Sequence, residues 1–166
     1  SISTRWARNA DRGKGDGEVV DIPFNPVHDC CLHRTLLDDK EGLQQLEKVL
    51  AKHLKSLHEP VQLTKEDRIL IVGLGNKTIT PDAIGPFAID AMQQNFEEER
   101  NEQFVMYAPG VTGQSGLETK EFVEALVNKI EPALVIVIDA LATRSSDRLC
   151  RTIQLTDTGI HPGSGV

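Results

Sequence analysis

From Arg68 onward, short apolar runs alternate with stretches of helical spacing. Ile69-Leu70-Ile71-Val72 is continuously apolar, the pattern of a strand covered on both faces. Gly73-Leu74-Gly75-Asn76 ends it. Pro81 and Asp82 then open a helix whose predicted inner face is Ile84, Phe87, Ala88 and Ala91. Phe104 to Tyr107 reads as a second short strand. A glycine-rich loop follows, from Pro109 through Gly110 and Gly113 to Gly116. A helix starting at Glu118 is expected to turn Phe122, Leu126 and Val127 inward. Leu134 to Ile138 is the third strand and the clearest buried one. Cys150 to Leu155 alternates apolar and polar residues, as a less buried fourth strand would. Asp157 to Val166 is rich in turn-forming residues.

This order predicts strands over 68–73, 103–107, 133–138 and 150–155 in one mainly parallel sheet, with helices near 82–95 and 118–130. The fold class is therefore α/β: three layers, with helices on both faces of the sheet. Ligands bind such sheets beyond the carboxyl ends of the strands. That rule selects three segments: Gly73 to Asp82, Ala108 to Gly116 and Asp139 to Arg144. Upstream, Leu43, Leu46, Val49, Leu50, Leu54 and Leu57 fall on one face of a helix over 40–58, which Pro60 ends. Residues 1–38 hold Gly13, Gly15, Gly17, Pro23 and Pro26 with little periodicity, and read as a loop-rich arm. The expected organisation is thus an arm over 1–38, a helical segment over 39–66 and an α/β core over 67–166.

Composition narrows the class. A length of 166 residues fits one domain with an added arm. Aromatics are only 4%, so the core must be aliphatic. A formal net charge of -7 argues against a broad nucleic-acid surface, which needs clustered Lys and Arg. The longest apolar run, Ala133 to Ile138, is too short to cross a bilayer, and Ser1-Ile2-Ser3 begins no apolar signal-peptide core. The expectation is a soluble chain that is not secreted. Adjacent cysteines, Cys30 and Cys31, make a poor disulfide framework and fit a reducing compartment.

Two aspartates stand out at the selected edge. Asp139 directly follows the β-branched run Val135 to Ile138. A carboxylate there loses solvent unless it has a partner or a task. Its bland role is to cap a helix or pair with Arg144. Asp82 follows Pro81 at a helix entry, where an Asp ordinarily caps free N–H groups. The pair is more informative than either member. Two nearby carboxylates do not both ionise easily, so one would keep a proton at moderate pH. The ionised member could activate water, and the protonated member could assist the carbonyl or leaving amine. The same two carboxylates could equally hold a divalent metal, with His161 as a third ligand.

The other candidates are weaker. Asp157-Thr158-Gly159 matches the catalytic triplet of pepsin-like proteases, but those enzymes are all-β; a turn after the fourth strand is the expected role. His161, in a glycine-rich stretch, is as readily a solvated loop histidine as a ligand or acid–base group. His28, Cys30, Cys31 and His33 are dense, but adjacent cysteines do not match zinc spacing. Gly73-Leu74-Gly75 lacks the third glycine of a dinucleotide loop, because Thr78 stands there. Gly-x-Ser-x-Gly is absent, and none of the cysteines lies in the selected segments, so covalent catalysis has little support.

Four blocks in order carry a family resemblance. They are Ile71-Val72-Gly73-Leu74-Gly75-Asn76 with Thr80-Pro81-Asp82-Ala83-Ile84-Gly85-Pro86; Ala108-Pro109-Gly110-Val111-Thr112-Gly113 with Gly116-Leu117-Glu118-Thr119; Val137-Ile138-Asp139-Ala140-Leu141-Ala142-Thr143-Arg144; and Ile153 through Val166. Together they resemble the germination (spore) protease family. Residues 1–66 do not visibly match the family, and the Thr-Asp-Leu-Ala segment expected near its processing site is absent from them.

The resemblance implies a phosphorylase/hydrolase-like fold similar to that of the hydrogenase maturation endopeptidases, with further strands and helices beyond Val166. It implies an endopeptidase that degrades small, acid-soluble spore proteins during germination, in the cytoplasm of the spore core. It implies a zymogen that processes itself and works as a homotetramer; charge and apolar run length separately argue against nucleic-acid and membrane partners. The family's two functional aspartates fall on Asp82 and Asp139. No cofactor is expected, although the kinship with maturation endopeptidases keeps a divalent metal in play. The competing readings are a metal-dependent maturation-type endopeptidase and a non-catalytic binding module.

Overall fold

The structure is a computed structural model that describes residues 19–23, 40–96, 102–110, 119–142, 144 and 152–157. In chain order the elements are β1 (Val19–Pro23), α1 (Lys40–His58), β2 (Ile69–Gly73), α2 (Ile84–Phe96), β3 (Phe104–Tyr107), α3 (Thr119–Ile130), β4 (Leu134–Ile138) and β5 (Thr152–Thr156). Short 3-10 turns lie at Glu59–Val61 and Thr80–Asp82. The described residues fall into two compact units: those of Val61–Ala140, and those of Lys14–Pro60 with Leu141–Thr158.

The first unit is built on a parallel sheet of order β3-β2-β4. Its central strand has neighbours on both sides and helices on both faces, so all its residues are buried. Alternation along β2 divides the core in two. Leu70 and Val72, with Leu74, meet Val123 of α3. Ile69 and Ile71 meet Ile89 of α2 on the opposite face. The result is the three-layer α/β arrangement that the alternating pattern predicts. Each fully buried aliphatic side chain contributes about 1.5–3 kcal/mol. The strand entries are tied as well: Ile69 N–H donates to Gln103 O at 2.8 Å, and Ala133 N–H to Arg68 O at 2.9 Å.

Three details differ from the sequence expectation. Leu134–Ile138, expected to be the most buried strand, is half-buried throughout, because β4 pairs on one side only among the described residues. The buried face of α2 is Gly85, Pro86 and Ile89, with Met92 against the same core, whereas Ile84 and Phe87 are 59% and 54% exposed. Successive helix residues are rotated by roughly 100°, so moving the contact line from Ile84 to Gly85 moves the whole face. The cause is steric. A Cβ on Gly85 would overlap Leu74 O and stand 2.6 Å from Ile138 O; a Cβ on Gly73 would overlap Gly85 O. Only a helix with glycine at this point can approach the strand ends so closely.

The third difference is the fourth strand. β5 does not join the parallel sheet; it pairs antiparallel with β1, from Val19 opposite Thr156 to Pro23 opposite Thr152. Its alternating pattern, with Ile153 and Leu155 half-buried and Gln154 exposed, suits an antiparallel ribbon with one face toward solvent. The arm over 1–38 therefore contributes a strand at Val19–Pro23, where Val19 and Val20 precede Asp21 and Ile22. In this second unit α1 packs against the ribbon. The predicted leucines and Val49 of α1 are all half-buried. Among the described residues, no helix is long and apolar enough to cross a membrane.

Two stability outcomes follow from the backbone. Gly85→Ala must push α2 off the ends of β2 and β4; a loss of about 3 kcal/mol or more, or failure to fold, is expected in urea denaturation. Glu131 follows α3 at φ 50, with its N–H on Val127 O at 2.9 Å, a left-handed helix terminus that favours glycine. Glu131→Gly should raise stability by about 0.5–1 kcal/mol in the same assay.

Candidate active site

The carboxyl ends of β2 and β4 lie side by side, with Gly73 paired to Ile138. One further bond, Leu74 N–H to Ile138 O at 2.8 Å, carries the ladder past the last strand residue. Beyond this point the two chains diverge. One continues directly into Asp139. The other makes a tight loop over 74–79, enters the Thr80–Asp82 turn and then begins α2. The topology thus brings Asp139 and Asp82 to the same edge of the sheet.

The loop is closed by hydrogen bonds that converge on Asp82. Asn76 N–H donates both to Asp82 Oδ2 at 2.8 Å and to Asp82 O at 3.1 Å. Asp82 N–H in turn donates to Ile79 O at 2.8 Å, and Ile79 N–H to Asn76 O at 3.1 Å. Asn76 Oδ1 accepts from Thr78 N–H at 2.9 Å and from Thr78 Oγ1 at 2.7 Å, an Asx turn. Gly75, at φ +118, makes this closure possible, because a Cβ there would overlap Asp82 O and stand 3.2 Å from Asp82 Cγ. Asp82, half-buried, therefore receives a donor from the loop before it rather than acting only as a cap for α2.

Asp139 Oδ1 accepts from Ala140 N–H at 2.8 Å. The residue is exposed on its outer side, yet its carboxyl is crowded enough to lose hydration. That desolvation raises its pKa above the usual 3.8, the Ala140 N–H opposes the shift, and the negative charge of Asp82 adds to it. The two carboxylates therefore sense each other electrostatically. Chemically, the arrangement offers one carboxyl whose pKa is raised by desolvation and, at the same sheet edge, a second that accepts a backbone N–H.

Other candidates fall elsewhere. Asp157 is exposed, directly after β5 in the second unit. His161, together with His28, Cys30, Cys31 and His33, lies outside the described residues, as does 111–118 of the glycine-rich loop. Gly73 and Gly75 serve close backbone contacts with Gly85 and Asp82, a sufficient reason for the glycines of the incomplete dinucleotide motif. Among the described residues no third His, Cys, Asp or Glu joins the aspartates, so the described donors fall short of a metal-holding set. Asn76 was not anticipated as part of the site; its signal was Asn76-Lys77-Thr78, an Asx-turn sequence next to a strand end.

The germination protease family matches residues 33–166. The chain is similar to a germination protease of Geobacillus sp. (strain WCH70), 38% identical over 163 residues, which is 93% of this chain and 42% of that protein. Germination proteases of Oceanobacillus iheyensis and Bacillus cereus (strain B4264) are each 43% identical over 137 residues, covering 77% of this chain and 37% of their own length. The chain spans well under half the length of the curated relatives it matches. The expectation that residues 1–66 lie outside the family is corrected: the match begins at residue 33 and the Geobacillus alignment covers 93% of the chain. The segment 40–58 is an amphipathic helix, and a helix held by apolar spacing tolerates many sequences, so it leaves no motif to read. With the family match extending over all of the parallel sheet and both aspartates, the chain belongs to the germination protease family.

Proposed function

We propose that this chain carries the catalytic core of an endopeptidase in which Asp82 and Asp139 act as a pair. The observation that carries the reading is geometric: β2 and β4 end side by side, Gly73 opposite Ile138, so that the Asp82 turn and Asp139 leave the same edge of the sheet. The family's name supports proteolysis during germination. The sequence resemblance adds the substrate class, small acid-soluble spore proteins, and a self-processed homotetramer.

Asp82, with Asn76 N–H on Oδ2, is the general base. It takes a proton from water as the water oxygen attacks the peptide carbonyl carbon. Asp139, whose pKa desolvation raises, is the general acid. Its proton goes to the amide nitrogen as the C–N bond breaks. Water is thereby divided between the new carboxyl group and the new amine, and the proton on Asp82 restores Asp139 through solvent or the product. Asp157, exposed directly after β5, is given no role in this step.

Kinetics on an unstructured acid-soluble protein test the pair. Asp82→Asn and Asp139→Asn should each lower kcat/KM by about a thousandfold or more, and the double change should add little, as for groups that act as a unit. Asp157→Asn should keep most activity. Full activity in Asp82→Asn would return that residue to its helix-cap role. A chelator should leave hydrolysis intact; loss that zinc or magnesium restores would favour the metal-dependent endopeptidase instead.

The raised Asp139 carboxyl also has a stability signature. The folded chain holds this proton more tightly than the unfolded chain, so it binds more protons between pH 3.8 and the higher folded value. Stability must therefore fall as pH rises through that window, and the penalty persists above it. An asparagine at this position cannot ionise. Denaturation curves should show Asp139→Asn as stable as the parent below the window and more stable at neutral pH. Equal stability at neutral pH would contradict the upward shift.

A further inference from the structure

We propose that Asn76 and Thr78 are positioning residues, forming a clasp that fixes which oxygen of Asp82 meets the water and substrate. This inference rests on the two-aspartate reading. Asn76 N–H reaches two acceptors of one residue, Asp82 Oδ2 at 2.8 Å and Asp82 O at 3.1 Å. A donor shared in this way fixes the side-chain torsion relative to the main chain, not merely the loop path. It commits Oδ2 and leaves Oδ1 as the oxygen that takes the proton.

The direction of that N–H is set by the Asn76 side chain. Its Oδ1 takes both donors of Thr78, the amide at 2.9 Å and the hydroxyl at 2.7 Å. Thr78 is exposed. Its hydroxyl therefore adds little to core burial, and its work is to hold Asn76. Gly75 completes the device by letting the Asp82 carbonyl lie where any side chain would stand. Reaction geometry tolerates little error: a displacement of about 1 Å at a catalytic group can cost roughly a hundredfold in rate. A clasp on Asp82 is thus a rate device, whereas a bond serving only the fold would leave kcat unchanged in a folded variant.

The test uses the full chain with Thr78→Val and Thr78→Ser, alongside Asp82→Asn. Amide hydrogen exchange at Asn76 reads the clasp without reference to activity, and exchange at Leu70 and Val72 reports that the sheet is intact. In Thr78→Val, exchange at Asn76 should quicken about tenfold while Leu70 and Val72 keep parental protection, and kcat should fall about tenfold with KM within about twofold. Thr78→Ser, which keeps the hydroxyl, should rescue both readouts. Parental exchange at Asn76 in Thr78→Val overturns the clasp. Quickened exchange with undiminished kcat overturns its role in the reaction. Undiminished hydrolysis by Asp82→Asn is a separate failure, that of the two-aspartate reading itself.

Discussion

The close approach of two backbones, Gly85 of α2 against Gly73 and Leu74 at the end of β2, is the constraint on which the rest of the first unit depends. No side chain separates the helix start from the strand ends. That contact sets the rotation of α2 and buries Ile89 rather than Phe87, with the Thr80–Asp82 turn immediately before the helix. The Leu74 N–H bond to Ile138 O ties the same point to β4 and hence to Asp139. One steric contact therefore locates both aspartates, although they lie far apart in the chain.

Electrostatics at this edge follow from the packing. Asp139 leaves a strand that is apolar along its whole length, and although the residue is exposed its carboxyl loses part of its hydration. Asp82 stands on a turn whose amides are already directed by the Asn76 loop. Desolvation raises the pKa of the Asp139 carboxyl, while the Asp82 carboxyl accepts the Asn76 N–H. The aspartates are chemically identical; their neighbours make them different.

The two-unit organisation gives each strand pattern its own setting. Continuous apolar runs at β2 and β4 fit a sheet covered on both faces. The alternating run at β5 fits the antiparallel ribbon with β1. The alternation Ile153-Gln154-Leu155 differs in period from those runs, and β5 accordingly lies outside the parallel sheet. β1 was hidden in the glycine-rich and proline-rich arm because a five-residue strand that includes Asp21 and Pro23 carries little periodic signal.

The sequence by itself determined the three core strands, the helices between them and the placing of Asp82 and Asp139 at the carboxyl edge of the sheet, because period and strand-to-carboxylate adjacency are local properties. It also determined the family, through motifs that are local too. Only the tertiary structure decided which face of α2 is buried, because that depends on Gly85 meeting backbone from another element. It alone decided the pairing of β5 with β1, since the choice of partner is non-local. And it alone decided that Asn76 serves Asp82: a hydrogen bond spanning six residues is set by the turn that Gly75, Asn76 and Thr78 make together, not by any one of them.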